Sequence, residues 1–333
     1  MPFWKKIVYP DVPLWLSVVF IVGGLFLLTW SADRFVDGSS AVARALGVSP
    51  FIIGMVVIGF GTSAPELAVS AMSGCMGHSN LSLGNAYGSN IFNIAVVLGV
   101  AALIRPLTVR PAIVTFAVPL LLGVSVLSGA LTCLGSGFSR LDGLIELVVF
   151  AVLLPLYCWH DRKDKSGGEG QAEQGNPIRH PGLVIVMSLA VLVGSSHLLV
   201  WGAVDVAREL GVSELLIGLT VVAAGTSLPE LASAIVSARK GQHEFVLGNI
   251  VGSNFFNTLA VVGLSGTIAP FKDVSPYVLA RDLPVMLGLT LAIGVFGFRL
   301  RRSDANGRIN RIEATCLLLS FAAYTVILLV QEA

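Results

Sequence analysis

Two glutamates sit where a charge is costly, and each closes the same short frame. Glu66 ends Gly61-Thr62-Ser63-Ala64-Pro65-Glu66, and Glu230 ends Gly225-Thr226-Ser227-Leu228-Pro229-Glu230. A second pair of motifs follows: Gly84-Asn85-Ala86-Tyr87-Gly88-Ser89-Asn90-Ile91-Phe92-Asn93 and Gly248-Asn249-Ile250-Val251-Gly252-Ser253-Asn254-Phe255-Phe256-Asn257. Both pairs are offset by 164 residues without a gap, and residues 61–99 match 225–263 at 19 of 39 positions. A carboxylate at membrane depth costs about 2.5–3.5 kcal/mol on insertion scales and is read first as functional. Two of them in duplicated frames point to one site built from two halves.

The available oxygens indicate the chemistry. The motifs supply the carboxylates of Glu66 and Glu230, carbonyls around Thr62 and Thr226, and hydroxyls of Thr62, Ser63, Thr226, Ser227, Ser89 and Ser253. Neither motif holds a histidine or cysteine. An all-oxygen, doubly negative site suits Ca²⁺, which takes 6–8 oxygens at about 2.3–2.6 Å, and the same oxygens suit Na⁺. Zn²⁺ or Cu²⁺ would call for His or Cys. An asparagine amide can donate to a carboxylate and accept from cation-bound water, which makes Asn93 and Asn257 candidates too. Ser89 and Asn93 are four apart and share a helix face.

The elements that must position these groups are broken helices. Pro65 has no N–H and clashes with the carbonyl four residues back, while Gly59 and Gly61 add backbone freedom. The span should break there, leaving carbonyls that are tolerated at depth only where they line a cavity or coordinate something. The stretch from Ala223 to Glu230 repeats the arrangement. Gly84 and Gly88, like Gly248 and Gly252, have the spacing of close helix contact.

Composition places the whole in a bilayer. Hydrophobic residues are 55% of the chain and charged residues 12%, against about 25% charged in soluble domains; mean hydropathy is +0.84. The expected spans are 13–33, 50–76, 81–104, 112–132, 143–159, 182–206, 213–238, 245–268, 277–298 and 312–330. The fold class is therefore all-α integral membrane, with ten transmembrane helices in two inverted five-helix repeats. The first repeat is 1–159, with its motifs in 59–99. The second is 182–333, with its motifs in 223–263. The charged, glycine-containing stretch 160–181 links them.

The duplication extends upstream, since Ala43-Arg44-Ala45-Leu46-Gly47-Val48-Ser49 matches Ala207-Arg208-Glu209-Leu210-Gly211-Val212-Ser213 and Gly38 matches Gly202. An odd number of helices per half makes the second copy enter from the opposite side, the build of many secondary transporters. Of the 21 Lys and Arg, 15 fall on the side of the central linker and six on the other. The positive side is cytoplasmic as a rule, which puts the linker in the cytoplasm and both termini outside an inner (plasma) membrane, although Lys5 and Lys6 argue locally for the reverse. No cleavable signal is evident, and Leu14–Trp30 is long enough to remain as a span.

Other polar residues have plainer readings. Asp33, Asp37 and Asp205 fall near expected span ends, Glu146 opens the fifth span as a helix N-terminal charge, and His197 packs. Asn90 and Asn254 cap or bridge helices as readily as they bind. The four cysteines show no CxxC pair and read as helix-packing residues. A net charge of +1 gives no nucleic-acid footprint. No Ser/His/Asp or metal-ligand His pattern lies near either motif, so an enzyme is not expected, and neither a cofactor nor an obligate protein partner is indicated. The lipid bilayer and the ions themselves are the expected partners.

With both motifs in view, the chain resembles the sodium/calcium exchanger branch of the cation/calcium antiporter superfamily, most of all its small bacterial and archaeal members, over essentially its whole length. The resemblance implies a Na⁺/Ca²⁺ antiporter working by alternating access, with Ca²⁺ export driven by Na⁺ entry and the first and sixth spans as the moving part. Carried over position by position, it makes Glu66 and Glu230 the shared carboxylates and the carbonyls of Thr62 and Thr226 Ca²⁺ ligands. Gly59, Thr62, Ser63 and Ser253 with Glu230 would form one flanking Na⁺ site. Ala223, Thr226, Ser227 and Ser89 with Glu66 would form the other. Asn93 and Asn257 would line the centre. Gly59 departs from its twin Ala223. Potassium-dependent relatives carry Asp at the position of Asn257. The proton-coupled branch has a Gly-Asn-Ala-Thr/Val-Glu repeat that this chain lacks, and 160–181 has no room for a large Ca²⁺-sensing domain. The rival readings are a proton/Ca²⁺ (or other divalent cation) antiporter and, in a different class, an ion channel.

Overall fold

The computed structural model describes residues 12–75, 79–133, 137–163, 178–211, 223–271, 274–298 and 307–332. They form helices α1 (Leu14–Leu46), α2 (Pro50–Thr62), α3 (Ala64–Cys75), α4 (Leu81–Ile104), α5 (Ile113–Cys133), α6 (Arg140–Lys163), α7 (Pro181–Glu209), α8 (Ala223–Thr226), α9 (Leu228–Arg239), α10 (His243–Ile268), α11 (Val278–Gly297) and α12 (Arg311–Glu332). Two short antiparallel strands, β1 (Leu107–Val109) and β2 (Gly307–Ile309), pair beside the helices among the described residues.

Eight of the described helices are long and apolar enough to cross a bilayer, and α2 with α3 makes a ninth span bent by 44°. The tenth expected span, 213–238, is described only from Ala223 onward, as α8 and α9; its first part lies outside the described residues, as does 164–177 of the linker. The chain is an all-α, multi-pass membrane protein.

Local chemistry sets the helix ends. Gly47 adopts φ 60°, closing α1 with a left-handed cap in which Val48 N–H reaches the Ala43 carbonyl at 3.2 Å, a Schellman closure that glycine permits at no steric penalty. Its repeat partner Gly211 has φ +75°. Ser49 then caps α2 by accepting from Ile52 N–H at 3.2 Å, with Pro50 in the first turn.

α10 is buried along its length and α4 over most of it, whereas α1, α6 and α12 turn much of their apolar surface outward. Lipid tails are as apolar as leucine, so close approach of small residues holds such helices together. Gly248 and Gly252 lie directly on the backbone of α2 at Phe51 and Met55. For Gly84 and Gly88 no described atom lies where a Cβ would reach; the repeat counterparts of Phe51 and Met55 are positions 215 and 219, outside the described residues.

Contacts between the halves come in exchanged pairs. A Cβ on Gly38 would meet Ile185 at 3.1 Å and Val184 at 3.3 Å, and one on Gly202 would meet Ile21 and Phe20 at 3.0 Å. Each residue of one set is 164 positions from its counterpart in the other, and the contacts run in opposite chain directions, so α1 and α7 pack antiparallel. Leu107 pairs with Ile309 and Phe271 with Phe138. Accordingly α12 packs on α4, where Leu318 meets Gly99, and α6 packs on α10, where Gly143 meets Gly263 and Thr267.

Three plain expectations change. α1 runs to Leu46, not to residue 33, so Asp33 and Asp37 are interior helix positions, and both pair with Lys240 at the end of α9, at 2.7 and 2.6 Å. Glu146 is not a helix-end charge, because α6 starts at Arg140 and buries it completely. Cys75, Cys133 and Cys316 are exposed, so only Cys158 is even partly packed.

Candidate cation-binding site

The bend in the second span falls at Ser63, where φ is −83° and ψ 6°, two residues before Pro65. Ser227 does the same before Pro229, with φ −94° and ψ 11°. Proline cannot donate to the Gly61 carbonyl four residues back, and one turn earlier Thr62 donates its hydroxyl to the Ile58 carbonyl at 2.9 Å. Each bend delivers a glutamate into the first turn of the next helix, Glu66 in α3 and Glu230 in α9, the end of a helix that favours negative charge.

The two bends hold each other's carboxylates. Ser63 Oγ donates to Glu230 Oε1 at 3.0 Å, and Ser227 Oγ donates to Glu66 Oε1 at 3.0 Å. Ser89 Oγ adds a donor to Glu66 Oε1 at 3.3 Å. Both side chains are fully buried, and the second oxygen of each, Oε2, has no hydrogen-bond partner. No ion pair to either glutamate is formed among the described residues. Buried charges are paired or coordinate metal ions, and here each carboxylate is held by a serine of the opposite half and by no basic side chain among the described residues.

The remaining expected residues fall around this pair with differing roles. Ser253 Oγ donates to the Gly59 carbonyl at 3.2 Å and lies 3.4 Å from Asn249 Oδ1, with no bond to Glu230. Gly59 is buried against α10, and Thr62 is fully buried within 3.5 Å of Asn249 Oδ1. Thr226 is partly buried, and Ala223 opens α8, its side chain outside the described set. Asn93 and Asn257 are fully buried at the start of matching π-helical turns, Asn93–Leu98 and Asn257–Val261, a backbone form frequent at functional sites. Neither amide donates to a carboxylate; all four of their polar atoms lack a hydrogen-bond partner. Asn90 and Asn254 bridge helices, Asn90 donating to Thr258 at 2.8 Å and Asn254 to the Asn90 carbonyl at 3.4 Å.

Two residues that sequence reading passed over carry much of the order. Asn85 Nδ2 donates to the Glu66 carbonyl at 3.1 Å and to Ser70 Oγ at 2.9 Å. Asn249 Nδ2 donates to the Glu230 carbonyl at 3.2 Å and to Ser233 Oγ at 3.1 Å. Their signal was present, since each follows the first glycine of its motif in both copies.

Comparison with known proteins identifies the family and the fold. A family profile described as "Sodium/calcium exchanger protein" matches residues 16–159 and 180–330. CaxA of Alkalimonas amylolytica is 42% identical over 318 residues, covering 94% of this chain and 98% of that protein. The sodium/calcium exchanger MaX1 of Methanosarcina acetivorans is 28% identical over 348 residues, covering 92% and 96%. A solved structure of the sodium-calcium exchanger NCX_Mj, soaked with Na⁺ and Sr²⁺, superposes with a TM-score of 0.79 at 28% identity, covering 95% of this chain and 98% of that one.

Proposed function

Since the chain belongs to the sodium/calcium exchanger family, we propose that it couples Na⁺ to Ca²⁺ and that both ions compete for the space between Glu66 and Glu230. As a family member it is a cation/Ca²⁺ exchanger embedded in the membrane, a transporter by class. The finer reading rests above all on the exchanged bonds Ser63–Glu230 and Ser227–Glu66. They make one site of two halves, with a free carboxylate oxygen on each side. One Ca²⁺ neutralises both glutamates, and several Na⁺ do the same, so the two loads exclude each other.

In this reading the Thr62 and Thr226 carbonyls complete the Ca²⁺ shell. Gly59, Thr62, Ser63 and Ser253 flank Glu230 for Na⁺, and Ala223, Thr226, Ser227 and Ser89 flank Glu66. Asn93 and Asn257 line the centre, where their unpartnered amide oxygens can face ions or water. The two halves, 1–159 and 182–333, form inverted five-helix repeats with ten spans in all. The antiparallel, exchanged packing of α1 on α7 supports a twofold axis in the membrane plane. That pair, on the outside of the bundle, is the part that moves. Linker 160–181 faces the cytoplasm and both termini lie outside an inner (plasma) membrane, following the Lys and Arg distribution.

The test is Ca²⁺ uptake into proteoliposomes loaded with Na⁺, with K⁺, or carrying a pH step, for wild type, Glu66→Gln and Glu230→Gln. Uptake driven by Na⁺ alone and lost in both variants supports the reading. Uptake by well-folded Glu66→Gln at the wild-type rate removes the site assignment, and uptake driven only by the pH step removes the Na⁺ coupling.

A further inference from the structure

On the far side of α4 from the central pair lies a second polar cluster, which the two glutamates do not use. Tyr87 on α4, Ser128 on α5 and Glu146 on α6 are all fully buried. Tyr87 precedes Ser89 by two residues, roughly 200° around a helix, so it faces away from Glu66. Tyr87 Oη and Ser128 Oγ are hydrogen-bonded at 2.8 Å. The Glu146 carboxyl lies beside the Ser128 hydroxyl and within electrostatic range of Tyr87, yet neither of its oxygens makes a hydrogen bond of ordinary geometry, and it forms no ion pair among the described residues. Asp142, one turn back on α6, is occupied by Ser139, and Cys133 ends α5 near Tyr87. α10 brings only Gly263 and its uncharged neighbours.

The cluster exists in one half only. α4 corresponds to α10 at the 164-residue offset. Pro119 and Pro284, with π-helical turns beginning at Ile113 and Val278, set an offset of 165 between α5 and α11. The matching caps, Ser139 N–H to Asp142 and Asn310 N–H to Glu313, both at 2.7 Å, set 171 between α6 and α12. Tyr87, Ser128 and Glu146 then correspond to Val251, Ile293 and Leu317, which are 3%, 1% and 2% exposed. The same three-helix junction closes with aliphatic side chains in the second half, so packing does not require a carboxylate at position 146.

A buried polar group needs a partner in either protonation state. Ionised, Glu146 is an uncompensated charge; protonated, it can donate once to a neighbouring hydroxyl but leaves its carbonyl oxygen unpaired. A cation between the carboxylate and the hydroxyls of Tyr87 and Ser128 serves both oxygens, and a single carboxylate balances a single positive charge. We infer that Glu146, Tyr87 and Ser128 hold one Na⁺-sized monovalent cation at a second site, separate from the Glu66–Glu230 pair. Because Tyr87 shares α4 with Ser89 and Asn93, its occupancy bears on the position of the helix that lines the central site.

The experiment counts ions. Purified full-length wild type, Glu146→Leu and Glu146→Gln are titrated with radioactive Na⁺ in choline buffer at fixed pH, and Ca²⁺ binding is measured on the same samples. Saturating Na⁺ should fall by one per chain in both variants, while Ca²⁺ binding stays within about twofold of wild type. An unchanged Na⁺ count in either variant that still binds Ca²⁺ overturns the inference, including the case where only a proton occupies Glu146. If Glu146→Leu loses Ca²⁺ binding through misfolding, the Gln variant decides. The count is a difference between variants at position 146, so it stands whether or not Glu66 and Glu230 prove to be the transport carboxylates.

Discussion

Ser63 donates to Glu230 at 3.0 Å, and 164 positions on Ser227 donates to Glu66 at 3.0 Å, so each carboxylate is steadied by the bent turn of the opposite half. A rearrangement that separates the halves breaks both bonds together, and a cation that draws the carboxylates inward keeps both.

Removing either hydroxyl should therefore weaken ion binding to a similar degree. A hydrogen bond to a charged group contributes about 1.5–3 kcal/mol, which is roughly ten- to hundredfold in affinity. Ser63→Ala and Ser227→Ala should each raise the Na⁺ or Ca²⁺ concentration for half-maximal exchange by about that factor with the fold retained. Half-saturation measured in proteoliposomes checks this; a wild-type value in either variant would show that its serine is not engaged during transport.

Acid should inhibit in a competitive manner. A proton on Glu66 or Glu230 removes one of two negative charges and occupies an oxygen that Ca²⁺ needs. Exchange at sub-saturating Ca²⁺ should fall as pH is lowered through the mildly acidic range, and raised Ca²⁺ should restore it. Initial rates over a grid of pH and Ca²⁺ test this, and inhibition that saturating Ca²⁺ leaves untouched would place the titrating group elsewhere.

Gly59→Ala should damage both stability and the site. A Cβ there would lie 2.8 Å from Ser253 N and 3.0 Å from the Asn249 carbonyl, both backbone atoms of the buried α10. Overpacking of this kind costs about 1–3 kcal/mol and pushes apart the Gly59 carbonyl and Ser253 Oγ, now at 3.2 Å. The expected outcome is a lowered Tm in detergent together with slower exchange. Gly23→Ala, which meets no described atom within 4 Å, is the control that should lower neither.

Exchange should not require K⁺. Asn257 is fully buried and adds no charge, and its N–H donors repel a bare cation. Na⁺-driven Ca²⁺ flux should be equal with K⁺ present or replaced by choline, and an absolute K⁺ requirement would defeat the claim. Asn257→Asp should alter ion coupling more than it alters thermal stability.

The sequence by itself determined the membrane class, the helical breaks in the frames around Pro65 and Pro229, and the duplicated frame around Glu66 and Glu230. Those features are local: apolar length, the missing N–H of Pro65 and Pro229, and residue identities at one offset. It also misplaced what depends on neighbours. Asp33 and Asp37 read as span ends because charge interrupts hydropathy, but inside a longer α1 both pair with Lys240, which caps the end of α9. Asn85 and Asn249 drew no role from the motif until folding brought the Glu66 and Glu230 carbonyls within their reach. Glu146 read as a helix-end charge until α6 packed on α10 and buried it against Gly263, opposite a second half that buries Leu317 in its place. Tertiary structure alone decided which serine faces which carboxylate, because a hydrogen bond between residues 167 positions apart is set by how two helices cross, and no local pattern records that crossing.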